Sequence, residues 1–314
     1  MSVLSNLNDK KTPGLYRVIR WFVWQLSPKF RLEGTENLPD EPCVIVGNHS
    51  QMFGPIAGEL YIPGKHDVWC AGEMMHLKEV PAYAYRDFWS GKPKTVRWLY
   101  KIFSYAVAPL CVLIFNSAHT VGVYHDARLI STFRRSMERL DEGSSMVIFP
   151  ECYDEHNNIV HAFQDKFVDL ARFYYTKSGK VLLFVPLYVA PYLSTLYFGT
   201  PVRFNPDADI RTERARICNA LMDDITRMAV SLPEHTVVPY PNIPKKDYPK
   251  NIPLEVFSHE EKTIGLQRLF PEQAQRAAVF PYQASRRMDL LLRHVFHNGE
   301  PDPAGEMPSH PLCP

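Results

Sequence analysis

The residue best placed to do chemistry is His49, in the stretch VIVGNHSQMFGP at 44–55. An imidazole that follows a short β-branched run and precedes a helix start can stand in a pocket with one nitrogen accessible. Its ordinary pKa, about 6.5, suits a general base for a hydroxyl group. The plainer role for such a histidine is to satisfy backbone groups in its own turn. Two later stretches belong beside it, VIFPECYDEH at 147–156 and FVPLYVAP at 184–191. Cys152 follows Glu151, and His156 and His161 are near, so a thiol hydrolase is conceivable. A reactive thiolate needs positive surroundings, however, and Glu151, Asp154 and Glu155 make this stretch acidic. Asp154, Glu155 and His156 read as a solvated turn, and no metal site is evident. Asn48-His49-Ser50 also fits the N-glycosylation pattern, a chance match where nothing else points to secretion.

Chemistry at these residues requires elements that deliver them. Residues 43–47, CVIVG, read as a buried strand ending at Asn48 and His49. Gly54 and Pro55 open a helix that runs through Tyr61, and 67–71 (DVWCA) is a second strand. Asp126 can cap a helix marked by Leu129, Ile130, Phe133, Met137 and Leu140, ended by Gly143. The strand 146–149 then delivers Pro150 and Glu151. Phe163 to Tyr174 carry a further helix closed by Gly179, residues 181–190 and 196–204 read as strands, and 210–232 as a helix. Alternating strands and helices predict an α/β fold with a mostly parallel central sheet and helices on both faces. Sites in such sheets form at the C-terminal ends of strands, where both His49 and Glu151 fall.

Two segments seek an apolar surface. Residues 15–26, LYRVIRWFVWQL, form an amphipathic helix that could lie in a bilayer interface with Arg17 and Arg20 toward headgroups. Residues 98–115, WLYKIFSYAVAPLCVLIF, would reach roughly 27 Å as a helix, close to a hydrocarbon thickness. Pro109 interrupts this run, so a dipping or surface-bound element is expected rather than a full span. Met74, Met75 and Trp89 could extend the same surface. Packing of either helix on the domain is the competing expectation.

The chain of 314 residues has room for one large domain with an appendage. A formal net charge of +1 offers no basic field, which argues against a nucleic-acid partner. The six cysteines form no C-x-x-C pair and read as reduced thiols of a cytosolic compartment. Lys10 and Lys11 are followed by a mixed segment unlike a secretory signal. The expected organisation is a flexible start at 1–14, a catalytic-type domain at 15–232, a Pro-rich extended strap at 233–254 and a C-terminal extension at 255–314. The extension could hold a helix around Met288 to Phe296 and is expected to be disordered after Glu300.

ENLPDEPCVIVGNHS, then IFPE, then VPLYV, in this order and spacing, resembles the lysophosphatidate (1-acylglycerol-3-phosphate) acyltransferase family over roughly residues 15–232. The resemblance implies transfer of a fatty acyl group from acyl-CoA or acyl carrier protein to a lysophospholipid, in phospholipid biosynthesis. It implies no cofactor beyond that co-substrate, and membrane phospholipid and lysophospholipid as partners. The implied location is the cytoplasmic face of a membrane, peripheral or monotopic. His49 matches the base of the family's H-x4-D motif and Asn48 the residue often before it. Phe149, Pro150 and Glu151 match the acceptor-holding F-P-E-G block, and Val185 and Pro186 the late V-P block. The sequence departs from the pattern at Gly54, where the motif aspartate would stand, and at Cys152, in place of the block's glycine. The counterpart of the phosphate-gripping block, VGVYHD at 121–126, lacks its arginine. Arg128 is the expected substitute in substrate binding, and Glu73, just past the second strand, the expected substitute carboxylate for His49, with Glu59 a further candidate. A backbone carbonyl that holds the imidazole well enough for slow turnover is a further expectation. Without any orienting group, losses of about 10⁴ in turnover are the precedent from the serine-protease triad. A catalytically impaired member that binds phospholipid or acyl donor is therefore the alternative expectation.

Overall fold

The computed structural model describes residues 14–86 and 94–252. These all belong to the first of the two units into which the chain divides, Met1–Thr263. The expectations for residues 1–13, Trp89 and the extension at 255–314 lie outside the described residues. Ten strands and seven α-helices are described, in an α/β arrangement with a mostly parallel sheet.

The main sheet has the order β1 (Arg31–Glu33), β9 (Thr195–Phe198), β8 (Leu183–Ala190), β2 (Val44–Gly47), β5 (Ser145–Ile148), β3 (His66–Ala71) and β4 (Thr120–Val123). Its pairs run parallel except where β9 and the short β10 (Val202–Arg203) turn back against β8. The central strands are buried on both faces, so they read as continuous apolar runs rather than as alternation. The strand expected at 196–204 is broken at Gly199 and Thr200, where the Gly199 amide bonds to Pro186 O and the Thr200 amide to the Asp224 carboxylate.

One face of the sheet packs Ile45, Val147, Val185, Leu187 and Leu196 against Ala57, Leu60 and Tyr61 of α2 (Phe53–Tyr61). Val23 and Trp24 of α1 (Gly14–Leu26) pack on the same core. The residues alternating with these, Val44, Val46, Met146 and Ile148, are buried too. On that side lie α5 (Leu129–Asp141), α6 (Asp169–Ser178) and α7 (Ile210–Ser231). The α5 helix buries Leu129, Phe133, Met137 and Leu140 at the spacing the sequence shows. Gly179, at φ +71, closes α6 in the left-handed conformation open to glycine.

Three features depart from the sequence-based picture. The stretch 151–156 is half of a small hairpin, β6 (Glu151–Glu155) with β7 (His161–Phe163), rather than a solvated turn. In α1, Arg20 does not reach outward: its guanidinium bonds to Glu59 O at 3.1 Å and lies 3.5 Å from the Glu59 carboxylate. Pro109 does not interrupt its helix, because α4 runs unbroken from Arg97 to Ser117. Together with α3 (Val80–Ala84), which packs on it, α4 buries little of its own surface and leaves Trp98, Leu99, Ile102, Phe103, Tyr105 and Leu110 exposed.

Candidate active site

The strand β2 ends at Gly47, and the next five residues, 48–52, build a tight turn before α2. Asn48 fixes the start of it. Its side chain is buried and accepts from Val189 N (2.7 Å) while donating to Val189 O (3.2 Å) and to Ser50 Oγ (2.8 Å). The turn is thereby stitched to the end of β8, and Asn48 is inaccessible to glycosylation. Ser50 and Gln51 follow at φ 45 and φ 54, two successive left-handed residues that are not glycine. Such residues cost about 1–3 kcal/mol each and persist only where neighbours hold them. Here the Gly54 amide returns to His49 O at 3.0 Å and the Phe53 amide to Ser50 O at 3.1 Å.

This turn points the Gln51 carbonyl at His49. Nδ1 of His49 lies 2.5 Å from Gln51 O. A carbonyl oxygen can only accept, so Nδ1 carries the proton and Nε2 keeps its lone pair. Burial lowers the His49 pKa below its ordinary value, outweighing the carbonyl's opposite pull, so the ring is a neutral base near pH 7. Phe149 and Tyr240 meet the imidazole edge to face, with centroids at 5.9 and 5.6 Å. Gly47 and Gly58 make room for Phe149; a Cβ on either would lie 3.1–3.2 Å from its ring.

Glu151 lies beneath the same turn and is fully enclosed. Its Oε2 accepts from His49 N at 2.5 Å and its Oε1 from His161 N at 2.8 Å. Burial pushes its pKa up to about 7 despite the two amides. Both oxygens are engaged by backbone, so Glu151 serves as the floor that joins the β2 and β5 exits. Pro186 sits lower in the sheet, level with Val46 in the β2–β8 register. Pro150 is buried where β5 passes into β6.

The other expected residues stand elsewhere. Glu73 follows β3, and β5 separates that strand from β2. Arg128, before α5, binds the Glu79 carboxylate at 2.9 and 3.1 Å, pairs with Asp126, and lies over the Tyr124 ring. Glu59 is occupied by Tyr16 (2.9 Å) and Arg20. At Gly54 an aspartate has no room: its Cβ would fall 2.5 Å from His49 O and 2.9 Å from Asn48 O. The structure thus brings His49, Asn48, Phe149 and Glu151 together and leaves Glu73 and Arg128 at a different part of the sheet edge. Burial raises the Cys152 thiol pKa, with Asp154 and Glu151 adding to it, which disfavours a thiolate.

Three residues that sequence reasoning did not single out complete the site: Gln51, Tyr240 and Tyr248. The side chain of Gln51 bonds to Pro241 O (3.2 Å) and to Tyr248 Oη (3.1 Å). The only hint in the sequence was Val237-Val238-Pro239-Tyr240, an apolar and aromatic patch within a Pro-rich polar run, which signals packing rather than a free linker.

No protein-family model matches the chain. No curated protein matches it either. Among solved structures it is similar to the crystal structure of the 1-acyl-sn-glycerophosphate (LPA) acyltransferase PlsC from Thermotoga maritima. The identity is 17% and the TM-score 0.38, over 68% of this chain and 80% of that one. That likeness is loose, and the chemistry open to this chain is set by its own side chains.

Proposed function

We propose that this protein transfers a fatty acyl group from a thioester to the hydroxyl of a lysophospholipid, with His49 as general base. The observation that carries the reading is the Nδ1–Gln51 carbonyl contact, which leaves Nε2 as the free basic nitrogen at a strand end. The ordered motifs around His49, Glu151 and Pro186 supply the substrate class through their resemblance to lysophosphatidate acyltransferases. Nε2 takes the hydroxyl proton as the oxygen attacks the thioester carbonyl carbon. The C–S bond then breaks, and the imidazolium returns the proton to the departing thiolate. The products are an ester and a free thiol, and no cofactor is consumed. The backbone carbonyl keeps the tautomer fixed and its dipole favours the imidazolium, though less strongly than a carboxylate would.

The insoluble acceptor fits the apolar surface outside the sheet. Exposed Leu15, Val18, Trp21, Phe22 and Leu26 of α1 adjoin α4, whose own exposed apolar residues are named above. We infer that this pair lies on a membrane surface, with α1 held to the domain through Tyr16, Arg20 and Glu59. By length and composition α4 also suffices to cross a membrane.

The test is to incubate the purified protein with vesicles containing lysophosphatidate and with mixed acyl-CoAs or acyl carrier protein thioesters, and to follow phosphatidate by mass spectrometry. His49→Ala is expected to lower turnover by about 10³ or more while leaving the fold intact. The acid limb of the rate profile is expected below pH 6.5, because burial depresses the His49 pKa from that value. Unchanged turnover in His49→Ala sinks the proposal. Vesicle binding without turnover by the wild type would identify a lipid-binding site instead.

A further inference from the structure

The segment after α7 is anchored at its base and meets the histidine turn at its tip. Val237 N donates to Pro249 O (2.9 Å) and Asn251 N to His235 O (3.2 Å), so the two limbs run antiparallel. Asn251 closes the base: its Oδ1 accepts from His235 N (2.9 Å) and its Nδ2 donates to Ala229 O (2.7 Å). His235 Nδ1 lies 2.8 Å from the Pro233 carbonyl, so that nitrogen is protonated and Nε2 accepts from Tyr188 Oη of β8 at 2.7 Å. From the β6–β7 turn, Asn158 Nδ2 donates to Lys250 O and Ile252 O, both at 2.7 Å. The base is therefore tied to β8, α7 and the hairpin.

The tip presents Tyr240, Pro241 and Tyr248. Both polar atoms of the Gln51 side chain end on it: Nε2 donates to Pro241 O and Oε1 accepts from Tyr248 Oη. The Tyr240 ring lies between the imidazoles of His49 (5.6 Å) and His161 (5.8 Å) and against Tyr153 (5.3 Å). A left-handed glutamine is strained, and released from its side-chain bonds it would relax and turn its carbonyl away from His49.

Building on the acyl-transfer reading, we propose that this strap is part of the catalytic apparatus: by clamping the Gln51 side chain, Tyr248 and Pro241 hold the Gln51 carbonyl on His49 Nδ1. Tyr248 and Gln51 are positioning residues, and together they take over the orienting role that an H-x4-D motif gives to its aspartate. Tyr240 is the wall that keeps water from the ring.

Two full-length variants test this. Tyr248→Phe removes one hydroxyl and leaves the ring. Gln51→Gly keeps the peptide carbonyl and tolerates positive φ, yet loses the whole clamp. Turnover on vesicles and the nitrogen-15 shifts of the His49 imidazole are measured for both. The expected results are kcat lower by about tenfold for Tyr248→Phe and by about 10² or more for Gln51→Gly, with KM little changed. The imidazole of Gln51→Gly is expected to lose its single Nδ1-protonated form and populate both tautomers. Wild-type kcat together with an unchanged tautomer in both variants overturns the proposal while leaving the base assignment standing. If the wild type itself shows no turnover, the acyl-transfer reading fails, and the tautomer alone decides the clamp: retained in both variants, it refutes the clamp; lost in Gln51→Gly, it supports it.

Discussion

The exits of β2 and β5 and the exits of β3 and β4 lie on one edge of the same sheet, and both carry ionisable residues. At the first, His49 and Glu151 are enclosed, and the partners that hold them are backbone groups: the Gln51 carbonyl and the amides of His49 and His161. At the second, Arg128, Asp126 and Glu79 are exposed and satisfy one another across 2.9 Å contacts, with Arg128 over Tyr124. Enclosure shifts both groups at the first exit, lowering the His49 pKa and raising that of Glu151. Exposed pairs such as those at the second contribute about 0–1 kcal/mol, and there the pairing with Arg128 holds the Asp126 carboxyl below its ordinary range, favouring the charged forms of both groups. The difference teaches that charge count does not locate this site. The depressed imidazole and the raised carboxyl gather where water is excluded and neutral backbone groups are the partners.

The largest expected effect breaks the first exit outright. Gly54→Asp would restore the motif's missing carboxylate in sequence, but its Cβ must displace the His49 carbonyl. Overpacking of this kind is expected to cost about 3 kcal/mol or more, and the variant should melt early and transfer no acyl groups. A stable and faster Gly54→Asp would instead show that the turn opens to accept an aspartate and that the Gln51 carbonyl is dispensable.

Glu151→Gln sharpens the contrast with a middling effect. The folded-state pKa of Glu151 is raised from 4.5 to about 7, so the folded protein holds this proton to higher pH than the unfolded chain does. Its contribution is therefore greatest near and below pH 4.5 and is lost as pH rises to 7 and beyond, by about 3 kcal/mol in total. Urea melts of wild type and variant across pH 4.5–8 should differ by that slope, because glutamine cannot titrate. Parallel curves would mean that Glu151 titrates like an ordinary surface acid.

The smallest effects belong to the second exit. Arg128→Ala and Glu73→Gln are expected to change stability by less than about 1 kcal/mol and turnover by less than about threefold, with the acid limb of the rate profile unmoved. A loss of 10² in turnover for Arg128→Ala would place the acceptor's phosphate at the β4 exit and draw the two regions into one site.

Much of the architecture was legible because local periodicity reports burial directly. CVIVG, the apolar stripe of α5 and Gly179 after α6 each describe a neighbourhood within a few residues. The structure buries the strand, buries Leu129, Phe133, Met137 and Leu140 but only half-buries Ile130, and closes α6 at Gly179. The short edge strands β1 and β4 and the β6–β7 hairpin escaped, since their pairing depends on partners far along the chain. The location of His49 at a strand end was legible for the same local reason, as was its proximity to Glu151 through the parallel β2–β5 pair.

What oriented His49 was not legible. The sequence leaves both a substitute carboxylate and a backbone carbonyl open, and it cannot say which carbonyl, because a main-chain oxygen belongs to every residue type and no motif announces its direction. The atom on Nδ1 is the Gln51 oxygen. Its direction depends on two left-handed residues, Ser50 and Gln51, that carry no glycine to mark them. It depends also on Tyr248, 197 positions from Gln51. The sequence by itself determined the alternating sheet and the place of His49 and Glu151 at its edge, because burial patterns and strand ends are local properties. Only the tertiary structure decided that a strap would close over that edge and that, of the carboxylates and carbonyls left open, the Gln51 carbonyl would stand at Nδ1. Backbone direction and long-range side-chain bonds exist only once the chain has packed.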